Sequence, residues 1–99
     1  MILIAGTFRI QPEDRDMALA AMTEMMAETV KEDGCVSYDF SSNFAEPTVF
    51  HLFEEWESEQ HLAAHFVAPH MAVFQGEIQK LSGVERNLFK YTADGKEPL

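Results

Sequence analysis

All four histidines of the chain, its one tryptophan and two adjacent carboxylates fall between His51 and His70. The stretch reads Phe50-His51-Leu52-Phe53-Glu54-Glu55-Trp56-Glu57-Ser58, followed by His61, Leu62, His65, Pro69 and His70. An imidazole titrates near neutrality and can take a proton from a bound hydroxyl. His65 falls beside Leu62, on or next to an apolar helical stripe, and His65 and His70 bracket Pro69, where a helix must break and can open a gap. His65 is therefore either a pocket-facing base or a core-edge residue with one satisfied nitrogen. His61 and His65 are four apart, a metal-ligand spacing, but there is no HExxH and no nearby Cys, so no metal site is expected.

On a strand, Leu52, Glu54 and Trp56 share one face while His51, Phe53 and Glu55 share the other. One of Glu54 and Glu55 must then lean inward, where a carboxylate needs partners or is pushed toward its neutral form. It acts there as an acceptor in a cavity, or it ties the strand end to a helix. Trp56 and Phe53 are candidates to stack on a flat ligand, whereas Phe50, Phe66 and Phe74 read as core. Tyr38 offers a phenol on an apolar strand face. Met22, with Met17, Met25 and Met26, suits an adaptable pocket wall and equally suits a plain core stripe. Nothing around Cys35 suggests an activated thiolate, and no phosphate loop, Ser-His-Asp pattern or dinucleotide fingerprint is present.

The elements that must position these groups are legible from period. Ile2 to Ile10 alternates as a strand. Pro12 to about Lys31 carries apolar residues at helical spacing, with Pro and acids at its start and Asp33-Gly34 as its stop. Cys35 to Phe40 alternates again, with Val36, Tyr38 and Phe40 on one face. Thr48 to Glu57 is a third strand, and Ser58 caps the helix that follows. A second helical piece after Pro69 carries Met71, Phe74, Ile78 and Leu81, and Val84 to Tyr91 is the last strand. This β-α-β-β-α-β order predicts a ferredoxin-like α+β domain over residues 1–92, with both helices on one face of a four-stranded antiparallel sheet. Residues 93–99 are expected to form a flexible tail. The helix-free face looks too apolar for water, which predicts a homodimer packed sheet to sheet.

Seven Lys and Arg stand against seventeen Asp and Glu, a formal net charge of −10. Such a surface repels phosphate backbones and anionic lipid, so neither nucleic acid nor membrane is an expected partner. A highly anionic substrate is disfavoured too, unless Arg9, Arg86 or Lys90 converge locally. No run of eighteen apolar residues occurs, the start does not read as a signal peptide, and a lone Cys makes no internal disulfide. The cytoplasm is the expected location.

Gly34-Cys35 with Tyr38, the strand end Phe53-Glu54-Glu55-Trp56-Glu57-Ser58, and the helical Leu62, His65, Pro69-His70 and Phe74 together resemble the antibiotic biosynthesis monooxygenase family over Ile2 to about Tyr91. The resemblance implies a dimeric α+β barrel whose subunits each hold a small apolar cavity. Some members are cofactor-independent oxygenases of quinols or phenols, which implies His65 as base, Tyr38 as orienter, Trp56 as wall and Glu54 in support, with no cofactor. Haem-degrading members use a strand-one Asn and a helical Trp; here strand one offers Gly6-Thr7-Phe8 and the only Trp is on a strand. A branch that isomerises a phosphorylated signalling sugar predicts Arg or Lys at the pocket mouth. A non-catalytic ligand-binding or interaction module on the same dimer is favoured if Phe and Met side chains fill the cavity, whereas a closed interior around His65 excludes the enzyme.

Overall fold

A computed structural model describes residues 1–99. Four strands and three helices run in the order β1 (Ile2–Ile10), α1 (Arg15–Thr29), β2 (Cys35–Ser42), β3 (Val49–Trp56), α2 (Glu59–Phe66), α3 (Pro69–Gln79) and β4 (Val84–Thr92). The strands form one antiparallel sheet in the order β2-β3-β1-β4. This is the ferredoxin-like arrangement read from the sequence. No helix is long and apolar enough to cross a membrane.

The core lies between the sheet and the helices. Ile2, Ile4, Phe8 and Ile10 of β1 point into it with Phe50, Leu52 and Trp56 of β3, and Ala18, Met22 and Met25 of α1 meet them. Burying a large apolar side chain contributes about 1.5–3 kcal/mol, so this face sets the register of the strands. The helix-free face carries Phe53, Phe89 and Tyr91, each about half exposed.

Local chemistry shapes these elements at three places. Pro12–Asp14 is a 3-10 turn rather than the first turn of α1. Buried Asp14 ends it and accepts from Ser82 N at 2.9 Å and Ser82 Oγ at 2.6 Å, tying the helix start to the loop before β4. β2 carries a bulge between Cys35 and Ser37, which throws Val36 out to solvent at 41% exposure while Tyr38 and Phe40 stay buried. Strict alternation from the sequence placed Val36 inside; the extra residue breaks that period. The helical segment after Ser58 splits at Pro69, as its fixed φ and missing N–H require. Residues 93–99 form no helix or strand, although Lys96 reaches Glu55 at 3.2 Å.

The pairing register lays Tyr38, Glu54, Ile4 and Lys90 in one row across all four strands, on the face that carries the helices. Phe50, Phe8 and Arg86 form a parallel row four residues along, with Gly6 and Leu88 between the two. Gly6 has no side chain to fill that interval, and a Cβ there would meet the Asn87 carbonyl oxygen of β4.

Candidate active site

β3 decides which carboxylate turns inward. Glu54 shares the core face with Leu52 and Trp56 and is 5% exposed, whereas Glu55 faces the other side. Trp56, fully buried, donates its indole N–H to Glu54 Oε1 at 2.8 Å. Burial pushes the Glu54 carboxyl up to about 7; the indole hydrogen bond opposes this and the charge of Glu32 adds to it.

Ser58 caps α2, its hydroxyl accepting from His61 N at 3.3 Å, and this sets the helix phase that points His65 inward. His65 is 1% exposed, with its ring 4.7 Å from that of Trp56 and 5.5 Å from that of Tyr38. Its Nδ1 lies 2.7 Å from Glu32 Oε2. An ionised carboxylate only accepts, so this bond places the imidazole proton on Nδ1 and leaves the Nε2 lone pair free. Nε2 stands 3.8 Å from Glu54 Oε1, beyond hydrogen-bond length. Burial depresses the His65 pKa, against the opposing pull of Glu32.

Glu32 was not visible in the sequence as a site residue. It sits in the turn after α1, where Gly34 adopts a left-handed φ of +79° and a Cβ would collide with the His61 ring. That reversal turns Glu32 back toward α2 and α3. The same Oε2 also takes His70 Nε2 at 2.7 Å, so one carboxylate oxygen joins the helix on each side of Pro69. The only sequence-level hint was an acid just before the helix-ending Asp33-Gly34.

An apolar-walled cavity of about 410 Å³ opens beside these groups. His65, Glu54 and Tyr38 line one side of it, and Ile4, Phe8 and Leu52 form its floor. Arg86 and Lys90 line the opposite side, on β4. Tyr38 is 6% exposed and burial, with the nearby carboxylates, pushes its pKa well up, so it remains a phenol at neutral pH. The remaining candidates lie elsewhere. Trp56 backs His65 and Glu54 from behind rather than walling the cavity. His70 lines a separate groove of about 340 Å³ between α1 and α3 and meets the site through the shared Glu32 oxygen and through its ring, 6.2 Å from that of His65. Met22 is core at 1% exposure and lines neither cavity. Phe53 is on the helix-free face, 44% exposed, because its position in the period of two is opposite to that of Glu54. The cavity therefore does not gather Phe53, Met22 or His70.

His61 pairs with Ser58 and Asp33 and does not join His65. Glu32, His65 and His70 do offer three ligand atoms within 4.8 Å of one another. Both imidazoles already donate to one Glu32 oxygen, so a cation would have to displace both N–H bonds. The Cys35 thiol is pushed up to about 11, chiefly by burial, which keeps it protonated.

Comparison with known proteins supplies a frame for this geometry. The profile of the family Antibiotic biosynthesis monooxygenase matches residues 1–77. A Synechocystis protein, sll1783, is 29% identical over 73 residues, which cover 74% of this chain and only 50% of that protein. The Escherichia coli protein named probable quinol monooxygenase YgiN is 26% identical, with 80% of this chain and 86% of that protein covered. A Bacteroides thetaiotaomicron crystal structure, described as a conserved protein of unknown function and possible oxidoreductase, is 33% identical. It superposes with a TM-score of 0.83 over 91% of this chain and 94% of its own. A profile match over more than three quarters of the sequence shows that the chain belongs to the antibiotic biosynthesis monooxygenase family.

Proposed function

We propose that the protein is a cofactor-independent monooxygenase that oxidises a small hydrophobic quinol or phenol with O₂. One observation carries this reading: a buried His65, held at Nδ1 by Glu32 and with Nε2 on the side of Glu54, lines an apolar-walled cavity together with Glu54 and Tyr38. Nε2 takes the proton of the substrate hydroxyl. The imidazolium so formed lies between Glu32 at 2.7 Å and Glu54 at 3.8 Å, two carboxyl groups placed where positive charge develops. Tyr38 donates its O–H to the substrate oxygen and orients the ring. The electron-rich ring carbon then gives its electron pair to O₂ and forms a C–O bond. The peroxide takes the proton back from the His65 imidazolium to become a hydroperoxide. Its O–O bond then breaks, the distal hydroxide leaves with the ring C–H proton as one water, and a new carbonyl remains, with one oxygen atom in the product and one in water. The substrate is the reductant, so the step requires no cofactor. Trp56 fixes Glu54 and packs on the imidazole.

The experiment is oxygen uptake across a panel of quinols and phenols with wild-type protein and His65→Ala. A positioned base contributes about 10²- to 10⁴-fold, so uptake should fall at least a hundredfold while helix content is kept. Unchanged uptake in the variant removes His65 from the mechanism.

The homodimer belongs to the same proposal. Phe53, Phe89 and Tyr91 expose apolar surface on the helix-free face, and a second copy packed sheet to sheet would cover it. Light scattering of a monomeric mass at micromolar concentration would exclude it. A cytoplasmic location fits a chain with one cysteine.

The phosphosugar isomerase is a second reading with one observation in its favour, the presence of Arg86 and Lys90 on the cavity. The apolar floor of Ile4, Phe8 and Leu52 suits a flat ring better than a polyhydroxylated sugar. An interior filled by Phe and Met side chains would have favoured the non-catalytic reading; the cavity beside His65 has room for a substrate, which supports the enzyme.

A further inference from the structure

The cavity is polarised from one end to the other. In the row Tyr38, Glu54, Ile4, Lys90, a phenol and a carboxyl group stand at one end, an alkyl side chain in the middle and an ammonium group at the other end. With strands about 4.8 Å apart, the backbones of Glu54 and Lys90 are separated by roughly 10 Å, enough for one aromatic ring and its substituents. Arg86 stands four residues along the same strand, across from Phe8, with Leu88 between it and Lys90 on this face. Two of the seven cations in a chain of net charge −10 thus line the same cavity.

These two cations are also poised for an anion. Arg86 donates to the neutral Gln75 Oε1 at 2.8 Å and lies over the Phe8 ring at 5.4 Å, and it forms no ion pair with a carboxylate. By contrast Arg9, Lys31, Lys80 and Lys96 are each paired with Glu side chains away from this cavity. Lys90 is held by Glu59 at 3.0 Å, but both side chains are more than half exposed, and such a surface pair is weak and readily exchanged. Arg9, the third cation that could have converged, faces Glu46 and Glu85 instead.

We propose that the substrate is an aromatic acid, a hydroxylated ring bearing a carboxylate, whose anionic group is held by Arg86 and Lys90 while its hydroxyl meets His65, Glu54 and Tyr38. The hydroxyl end rests on the oxygenase reading; the anion end rests on the β4 cations alone. A ring over Ile4 then has its electron-rich hydroxyl carbon at the buried end and its solvated carboxylate at the mouth. This orientation places the charge where Arg86 offers a planar fork that suits a carboxylate.

Anaerobic calorimetry tests the anion end without turnover. The probes are hydroquinone, 2,5-dihydroxybenzoate and ribose 5-phosphate, with oxygen uptake measured in parallel for the two quinols. Wild-type protein should bind 2,5-dihydroxybenzoate at least tenfold more tightly than hydroquinone, and the ratio should shrink as salt is raised. The double variant R86M/K90M should lose about tenfold of that ratio. Glu59→Gln, which frees Lys90, should tighten binding of the acid about threefold, and it gives a test even where the double variant does not fold. Equal binding of the acid and hydroquinone by wild-type protein overturns the proposal, as does an unchanged ratio in the double variant. Ribose 5-phosphate binding as tightly as the aromatic acid overturns the aromatic half. Preferential binding of the acid with no oxygen uptake from either quinol leaves the anion site standing and sinks the oxygenase reading instead.

Discussion

Glu54 and Glu55 are adjacent on β3 and identical in chemistry, yet the sheet gives them opposite surroundings. Glu54 points into the layer between sheet and helices, where burial outweighs a hydrogen bond from Trp56 and lifts its carboxyl to about 7. Glu55 points to the helix-free side, where Ser37 Oγ donates to it at 2.7 Å and Lys96 Nζ at 3.2 Å, and its pKa is lowered, first by the serine hydrogen bond. A period of two thus sorts two like residues into a poised group and an ordinary one. The side of the sheet, and not the residue type, makes a carboxyl group useful in a cavity.

The largest disturbance to this contrast comes from Trp56, which both fills the core and holds Glu54. Trp56→Ala should destabilise the fold by about 3–5 kcal/mol, measured by urea denaturation at fixed protein concentration. Trp56→Phe keeps most of the volume but removes the N–H donor, and should cost about 1–3 kcal/mol. A cost near zero for Trp56→Phe would mean that Glu54 does not depend on the indole.

A smaller effect comes from the charge of Glu54 itself. Its folded pKa is raised above 4.5, so the native state binds more protons than the unfolded state between pH 4.5 and about 7. Stability from this group is full below pH 4.5 and is lost as pH rises toward 7, after which it is flat. At roughly 1.4 kcal/mol per pH unit the loss approaches about 3 kcal/mol. His65 has the opposite sign: its folded pKa is lowered below 6.5, so its contribution is lost as the solution is acidified. Glu54→Gln isolates the first effect, because the amide oxygen still accepts from Trp56 and does not ionise. Relative to wild type, the variant should gain stability between pH 4.5 and pH 8, and a difference that does not vary with pH would mean that Glu54 is not strained by burial.

The sequence carried most of the fold. Period two in β1 and β3, the Ser58 cap and the Pro69 break are all local signals, and local signals survive folding when the apolar pattern agrees with them. It also required one of Glu54 and Glu55 to turn inward, and it disfavoured an anionic substrate unless Arg9, Arg86 or Lys90 converged. Three features escaped it because they are made by tertiary contact. The bulge at Cys35/Ser37 adds a residue that the alternation of β2 does not reveal. Glu32 meets His65 across 33 positions, a contact made by the packing of the turn after α1 against α2. Phe53 and Met22 have the size and character of pocket residues, but one lies on the wrong face and the other deep in the core. Composition could nominate such residues, and only the packing could separate them from Tyr38.

The smallest expected effect completes the comparison. Glu55→Gln leaves an oxygen for the Ser37 hydroxyl and removes only the charge facing Lys96, itself 59% exposed. Because the folded pKa of Glu55 is lowered, its contribution is present above pH 4.5 and disappears as pH falls through the folded value. The variant should therefore cost less than about 1 kcal/mol at pH 7, and nothing once wild-type Glu55 is itself protonated. High salt should shrink the cost further, since an exposed lysine is readily screened. Urea denaturation at pH 7 with and without ~0.5 M salt reads both the cost and its screening. A salt-insensitive loss of more than about 2 kcal/mol, the range of a buried charged hydrogen bond, would break the contrast: Glu55 would then be as deeply committed on its face of β3 as Glu54 is on the other.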